Sequence, residues 1–156
     1  MIIRHVEESD YNNIIIVLDE WWEGRRMADM LPRLFFKYFK DSSFVIEEEN
    51  AIVAFLIGFI SQVNPNHAYV HFMGIHPEYR KRGFGRQLYR VFFDTISLRD
   101  CDTVHLVTSP INKNSIAFHT RIGFQIEEGD DVVEGVSIHR DYDGLGEDRV
   151  LFVKRI

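Results

Sequence analysis

Three cations directly precede two glycines in the segment RKRGFG, Arg80–Gly85. Apolar residues before the segment predict a strand and the pattern after it predicts a helix, so it is a strand-to-helix turn. Glycine permits a backbone approach that a Cβ would block, and a helix N-terminus offers unpaired N–H groups. These features suit a pyrophosphate, but they also fit a tight turn with solvated charges. The spacing matches neither a Walker loop nor a dinucleotide fingerprint.

Length and composition narrow the class of protein. The chain has 156 residues, 46% of them hydrophobic, which predicts one globular domain. The single cysteine, Cys101, excludes an intramolecular disulfide and a multi-thiolate metal site, and the seven histidines show no metal-ligand spacing, so no metal is expected. A net charge of -6 disfavours nucleic-acid binding. Because the longest apolar stretch, Ala51–Ile60, is too short for a bilayer and no secretion signal is visible, a cytoplasmic protein without membrane contact is expected.

Hydrophobic periodicity indicates which elements position the turn. The predicted order is β-α-α-β-β-β-α-β-α-β-β, a mixed α/β sheet in one domain. The turn follows a strand, AYVHFMGIHP, that Pro77 stops, and it precedes a helix running from Gly83 to about Leu98. Earlier in the chain, a helix is predicted near Leu31 and a hairpin turn at Glu49–Asn50.

Two motifs carry a resemblance to a known family. The first is R-x-x-G-x-G, and the second, downstream, is NKNSIAFHTRIGF. The matching positions are Arg80, Gly83, Gly85, Asn112, Ser115, Phe118, Gly123 and Phe124. Together with the element order, these motifs resemble the GNAT superfamily of acyl-CoA-dependent N-acyltransferases. The resemblance implies one N-acetyltransferase domain over residues 1–156. Its sheet is expected to be mixed and mostly antiparallel, splayed at strands 4 and 5 and flanked by about four helices.

The resemblance also implies a cosubstrate, acetyl-CoA, and a place for each part of it. Its pantetheine arm would contact main-chain groups of Met73 and Ile75, with Gly74 able to accommodate a bulge. Asn112 and Ser115 match positions near the thiol end, although Asn112 could instead cap a helix. The pyrophosphate would contact backbone N–H groups of the turn, which are those of Lys81, Arg82, Gly83, Phe84, Gly85 and Arg86.

The candidate acid and bases are less well matched. Where the family often has a tyrosine that protonates the CoA thiolate, this chain has His119, which could donate a proton near neutral pH or could only fill space. Tyr69 and His71 share one face of a strand by period two and are the base candidates. Positioning of amine and thioester could also suffice without a dedicated base.

The implied reaction moves an acetyl group from acetyl-CoA to a primary amine of a small molecule or a peptide, by direct transfer in a ternary complex. The acceptor could lie against Trp21, Trp22 and Tyr142 and be attracted by nearby acids, although core tryptophans and a solvated acidic rim explain the same residues. The partners are therefore acetyl-CoA and an amine, with a homodimer left open. Because the tyrosine is missing, a non-catalytic acyl-CoA-binding or sensing module is the alternative; an RNA-binding domain is a remote third.

Overall fold

A seven-stranded sheet carries helices on both of its faces. The computed structural model describes all residues, 1–156. The strands are Ile2–His5 (β1), Phe44–Glu48 (β2), Ala51–Ile60 (β3), His67–Ile75 (β4), Thr103–Thr108 (β5), Gln125–Ile126 (β6), Asp131–Val133 (β7), Val136–Ile138 (β8) and Val150–Arg155 (β9). The helices are Asp10–Trp21 (α1), Leu34–Tyr38 (α2), Phe84–Ser97 (α3) and Lys113–Arg121 (α4). No helix is both long enough and apolar enough to cross a bilayer.

The strand order in the sheet is β1-β2-β3-β4-β5-β9-β6. All pairs are antiparallel except β4 and β5, which are parallel. A separate two-stranded hairpin, β7-β8, follows β6. The predicted fold, a mixed and mostly antiparallel sheet with four helices, is confirmed.

The core is divided by the sheet into two clusters. On one face α3 contributes Leu88, Tyr89 and Phe92, and on the other α1 contributes Ile14 and Leu18. Because both faces of β3 are covered, its sequence is continuously apolar rather than alternating.

Several local predictions are confirmed and others need correction. The hairpin turn lies at Glu49 and Asn50, both with positive φ. The helix expected near Leu31 begins at Leu34. Sequence periodicity missed β7 and β8, since three-residue strands show almost no alternation.

Candidate active site

An unpaired strand edge runs through the middle of the sheet. β4 and β5 pair only from His67 to Tyr69 on β4, opposite Thr103 to His105 on β5, and then separate. β4 continues to Ile75 without a partner on that side. The sheet is therefore splayed at strands 4 and 5, as predicted.

The main-chain direction of β4 follows from its bonds to β3. The backbone N–H of His76 donates to the carbonyl of Val53 at 2.8 Å. Since hydrogen-bonding direction alternates along a strand, the main-chain groups of Met73 and Ile75 point to the open edge. The carbonyl of Ile75 accepts a bond from Arg80 Nε at 3.3 Å on that side. These two residues thus offer an edge to which an extended polar chain can add.

A β-bulge lies in β4, but not at Gly74. The register shifts so that Val70 and Phe72 oppose consecutive residues of β3, which leaves His71 as the extra residue. Gly74 instead makes room for side chains of Phe55 and Trp22, which would lie within 3.0 Å of a Cβ there. The bulge comes directly after the last β4–β5 pair, at the point where the strands separate.

The turn that follows β4 presents six free donors. None of the backbone N–H groups from Lys81 to Arg86 donates a hydrogen bond within the chain. Lys81 and Gly83 have φ values of 63° and 82°, and Gly83 is the N-cap of α3. Consecutive free N–H groups at a helix N-terminus form an anion-binding site. The fit to a pyrophosphate therefore rests on the backbone.

The two glycines of the turn have different roles. A side chain at Gly83 would meet open space, so the positive φ alone favours glycine there. A Cβ at Gly85 would lie 2.8 Å from the ring of Phe118 on α4. The expectation that both glycines make room for a ligand is thus wrong for Gly85, which makes room for helix packing.

The cations of the turn make different contacts. The Arg80 guanidinium donates to the carbonyl of Trp21 at 2.6 Å and ties α1 to the end of β4. Arg82 lies over the ring of Tyr79, 4.8 Å from its centroid. Lys81 and Arg86 are exposed at the first turn of α3, while Phe84 is buried. Arg80 therefore acts in the fold, and the remaining three cations surround the free N–H groups.

On α4, Asn112 occupies the N-cap position. Its side-chain oxygen accepts a bond from the backbone N–H of Ser115 at 3.4 Å. The capping alternative is present in the structure; a cofactor contact by Asn112 or Ser115 stays a prediction.

His119 on α4 is buried, with only 4% of its surface exposed. Its Nδ1 lies 2.8 Å from the Ser115 carbonyl, so Nδ1 carries the proton and Nε2 accepts from the Tyr89 hydroxyl at 2.7 Å. Burial lowers the pKa of His119 to about 4, against a smaller opposing effect of the Ser115 bond. The expectation that His119 is appreciably protonated near neutral pH is therefore wrong. Since both ring nitrogens are engaged within the chain, the structure gives no support to an acid role.

The two base candidates lie on the face opposite α3. His71 Nε2 donates to the carbonyl of Met30 at 2.6 Å, and the ring stacks on Phe35 with centroids 4.2 Å apart. Burial lowers the pKa of His71, which favours the neutral form at pH 7. Nδ1 makes no hydrogen bond and is an available acceptor. Burial raises the pKa of Tyr69 to about 12, so this phenol stays protonated at neutral pH.

Trp21 and Trp22 do not line a common acceptor site with Tyr142. Trp21 is buried against Phe55, and Trp22 packs edge-on against Phe72. Tyr142 lies instead beside Tyr69, at the far end of the splayed strands. The core alternative is thus the correct one for Trp21.

A pocket of about 280 Å³ opens where β4 and β5 begin to separate. We name it the strand-end pocket. It is aromatic and aliphatic in the middle, with three ionisable side chains at one end. Its principal side chains are those of Phe59, Tyr69, Tyr142, Leu151, His67, His105 and Glu127. Sequence patterns did not indicate the last three, because they come from β4, β5 and the segment after β6.

Known structures share this architecture. Ard1 from Thermoplasma volcanium has a TM-score of 0.78 at 15% identity, covering 99% of this chain and 97% of that one. The ribosomal-protein-S18-alanine N-acetyltransferase from Escherichia coli has a TM-score of 0.69 at 22% identity, covering 99% and 93%. A diaminobutyrate acetyltransferase from Paenibacillus lautus, solved with its substrate and coenzyme A, has a TM-score of 0.70 at 19% identity, covering 97% and 92%. At these identities the likeness concerns the fold.

A search of the curated proteins finds no match. The profile of the Acetyltransferase (GNAT) family matches residues 11–124, which include the free β4 edge, the donor-rich turn and α4. The chain belongs to the GNAT acetyltransferase family.

Proposed function

We propose that the protein transfers an acetyl group from acetyl-CoA to a primary amine of a small molecule or a peptide, directly and in a ternary complex. One observation carries the proposal: the open edge of β4 leads into a turn whose six N–H groups are unused. An acyl-CoA has an amide-containing arm for such an edge and a pyrophosphate for such a turn.

In the proposed binding mode, main-chain groups of Met73 and Ile75 bond the pantetheine arm. The backbone from Lys81 through Phe84 to Arg86 holds the pyrophosphate, with side-chain charge from Lys81, Arg82 and Arg86. The thioester then lies near the bulge at His71, and Asn112 and Ser115 border its other side.

The acceptor approaches from the opposite face, over Tyr69 and His71. The amine nitrogen attacks the thioester carbonyl carbon; a C–N bond forms and the C–S bond breaks. His71 Nδ1 takes the proton that the amine loses, directly or through one water, because this nitrogen is unprotonated and unbonded. Tyr69 keeps its proton and serves as a hydrogen-bonding wall. The leaving thiolate takes its proton from water, since His119 is neutral near pH 7 and both of its ring nitrogens are engaged within the chain.

Direct transfer is favoured because the chain offers no thiol for a covalent intermediate. Cys101 is buried, its Sγ donates to the Pro65 carbonyl at 3.3 Å, and burial raises its pKa. A chain with one unpaired thiol suits a reducing compartment, which supports a cytoplasmic location. Initial rates that give intersecting rather than parallel double-reciprocal lines, and a Cys101→Ser variant with unchanged rates, would support this step.

The test is an amine panel with acetyl-CoA, in which free CoA is measured and products are identified by mass spectrometry. The proposal expects amine-dependent CoA release and an N-acetylated product. His119 lies where the family's tyrosine lies and cannot act as an acid at neutral pH, which favours one competing function, an acyl-CoA-binding module. Acetyl-CoA binding in calorimetry without turnover of any amine would establish that alternative.

A further inference from the structure

Glu127 holds an uncompensated negative charge in the strand-end pocket. Its side chain is about one-third exposed, and no lysine or arginine lies within salt-bridge distance. The nearest ionisable group is His105, with Nδ1 at 4.0 Å from Glu127 Oε1. A carboxylate that lines a pocket and has no paired lysine or arginine is available to a cationic ligand.

The histidines beside Glu127 do not supply the missing charge. His105 Nε2 lies 3.1 Å from His67 Nδ1, so the two rings share one hydrogen bond. Two protonated rings cannot face each other at this distance without repulsion. Burial also lowers the pKa of His105. His105 is thus a polar, neutral wall of the pocket at neutral pH.

The nearest arginine of the surrounding loop is already paired. Arg149 bonds Asp143 at 2.8 Å and Glu147 at 3.2 Å. The remaining polar side chains that line the pocket are the hydroxyls of Ser61, Tyr69 and Tyr142. The pocket therefore carries a net negative charge located at Glu127.

The distance from Glu127 to the splayed strands defines the length of a ligand. Glu127 reaches the side chains of β5, since its Oε1 lies 4.0 Å from His105 Nδ1. His105 lies opposite Tyr69, and His71 lies two residues further along β4, a distance of about 7 Å. Between these points lies the apolar side chain of Leu151, with Tyr142 and Phe59 as aromatic walls. A ligand that spans the pocket needs a cation at Glu127, an aliphatic middle and a reactive group at the strand opening.

We infer that the acceptor is a small linear diamine or polyamine, with one amine at the strand opening for transfer and a second, cationic amine bound by Glu127. The inference rests on the proposed function for the first amine. Methylenes would pack on Leu151, and the aromatic rings would favour the cationic ends. The pocket volume admits a chain of this size and excludes a bulky acceptor.

The test compares two probes of equal chain length. Cadaverine carries amines at both ends of five methylenes, and pentylamine has the same chain with one amine. The parent should use cadaverine with a kcat/KM at least about tenfold higher than that for pentylamine. A charge-assisted hydrogen bond at the weaker end of its usual strength corresponds to about this factor. In Glu127→Gln this ratio should fall to near one. Glu128→Gln, the adjacent acid, with no hydrogen bond or salt bridge of its own, is the matched control and should keep the parent ratio.

Two results would overturn the inference: equal use of both probes by the parent, or an equal loss on both probes in Glu127→Gln. If neither probe is acetylated although acetyl-CoA binds, the amine panel decides the proposed function and the pocket is judged by binding alone. Calorimetry with cadaverine and CoA then decides. Affinity that Glu127→Gln lowers about tenfold supports the pocket assignment, and equal or absent binding refutes it.

Discussion

Two histidines mark the two faces of the splayed sheet, and they differ in what the chain leaves free. His119, under α3, has both ring nitrogens bonded, one to Ser115 and one to Tyr89. His71, beneath α2, uses one nitrogen for the Met30 carbonyl and leaves the other free. Burial lowers both pKa values, but only His71 retains an atom that can act on a substrate. Burial and a shifted pKa therefore do not by themselves identify a catalytic group.

The same contrast holds for the two halves of the candidate site. The proposed acyl-CoA half consists of main-chain groups, at the β4 edge and the turn Lys81–Arg86. The acceptor half consists of side chains such as His71 and Glu127, each from a different element. A shared cosubstrate with variable acceptors needs this division, since backbone contacts are independent of side-chain identity.

The largest expected effect concerns His119 and stability. Its folded-state pKa of about 4 lies below the ordinary 6.5, so the neutral form contributes stability that is fully present above pH 6.5 and is lost as the pH falls toward 4. The loss should be about 3 kcal/mol in free energy of unfolding. Urea denaturation at pH 7.5 and 4.5 measures it. A Tyr89→Phe/His119→Phe double variant, which removes both hydrogen-bonding partners, should lack most of this pH dependence; a parent-like dependence would contradict the assignment.

His71→Phe tests the acceptor half. The ring keeps its stacking on Phe35 but loses its proton acceptor, so turnover should fall about a hundredfold while acetyl-CoA affinity is unchanged. The parent's rate should stay high to a pH below 6.5, because His71 is still neutral there. The fall in rate at lower pH that protonation of His71 causes should be absent from the variant. His5→Phe is the control, since His5 also bonds a backbone carbonyl, that of Lys40, and packs on a phenylalanine. Parent-like single-turnover rates in His71→Phe would show that positioning alone suffices.

Gly83→Val tests the backbone half. The valine would project where the phosphates approach, so acetyl-CoA affinity should fall about tenfold, measured by calorimetry. Gly146→Val is the matched control, because Gly146 has nearly the same φ, 77° against 82°, and equally open surroundings in the acidic loop. Both variants bear the same backbone strain, so the difference between their acetyl-CoA affinities reports on pyrophosphate binding by the turn. Equal affinities would remove the turn from the binding mode.

The smallest expected effect is electrostatic steering of the acceptor by the acidic loop that includes Asp141 and Asp143. Part of its charge is already paired, since Arg149 bonds both Asp143 and Glu147. Raising the salt concentration from low to physiological and higher values should therefore lower kcat/KM for the acceptor only about two- to threefold. The kcat/KM for acetyl-CoA should fall less. Equal salt dependence of both terms would refute steering.

Sequence reasoning could identify the fold and the acyl-CoA half because both depend on local patterns. The glycine turn, its cations and the strand before it are contiguous, and their backbone geometry follows from residue types within a few positions. Even there, the sequence did not show that a Cβ at Gly85 would meet the ring of Phe118, so that helix packing requires this glycine whatever its backbone N–H binds. A glycine required for φ and one required for space look identical in a sequence.

By itself, then, the sequence indicated the donor-rich turn and the order of all elements except β7 and β8, and its resemblance to a known family implied the splayed sheet. Only the tertiary structure decided that His119 is sealed beside Tyr89, that the bulge falls at His71, and that Glu127 meets His105 across the sheet. Protonation and charge compensation depend on neighbours brought together from distant parts of the chain, and that information exists only once the chain has folded.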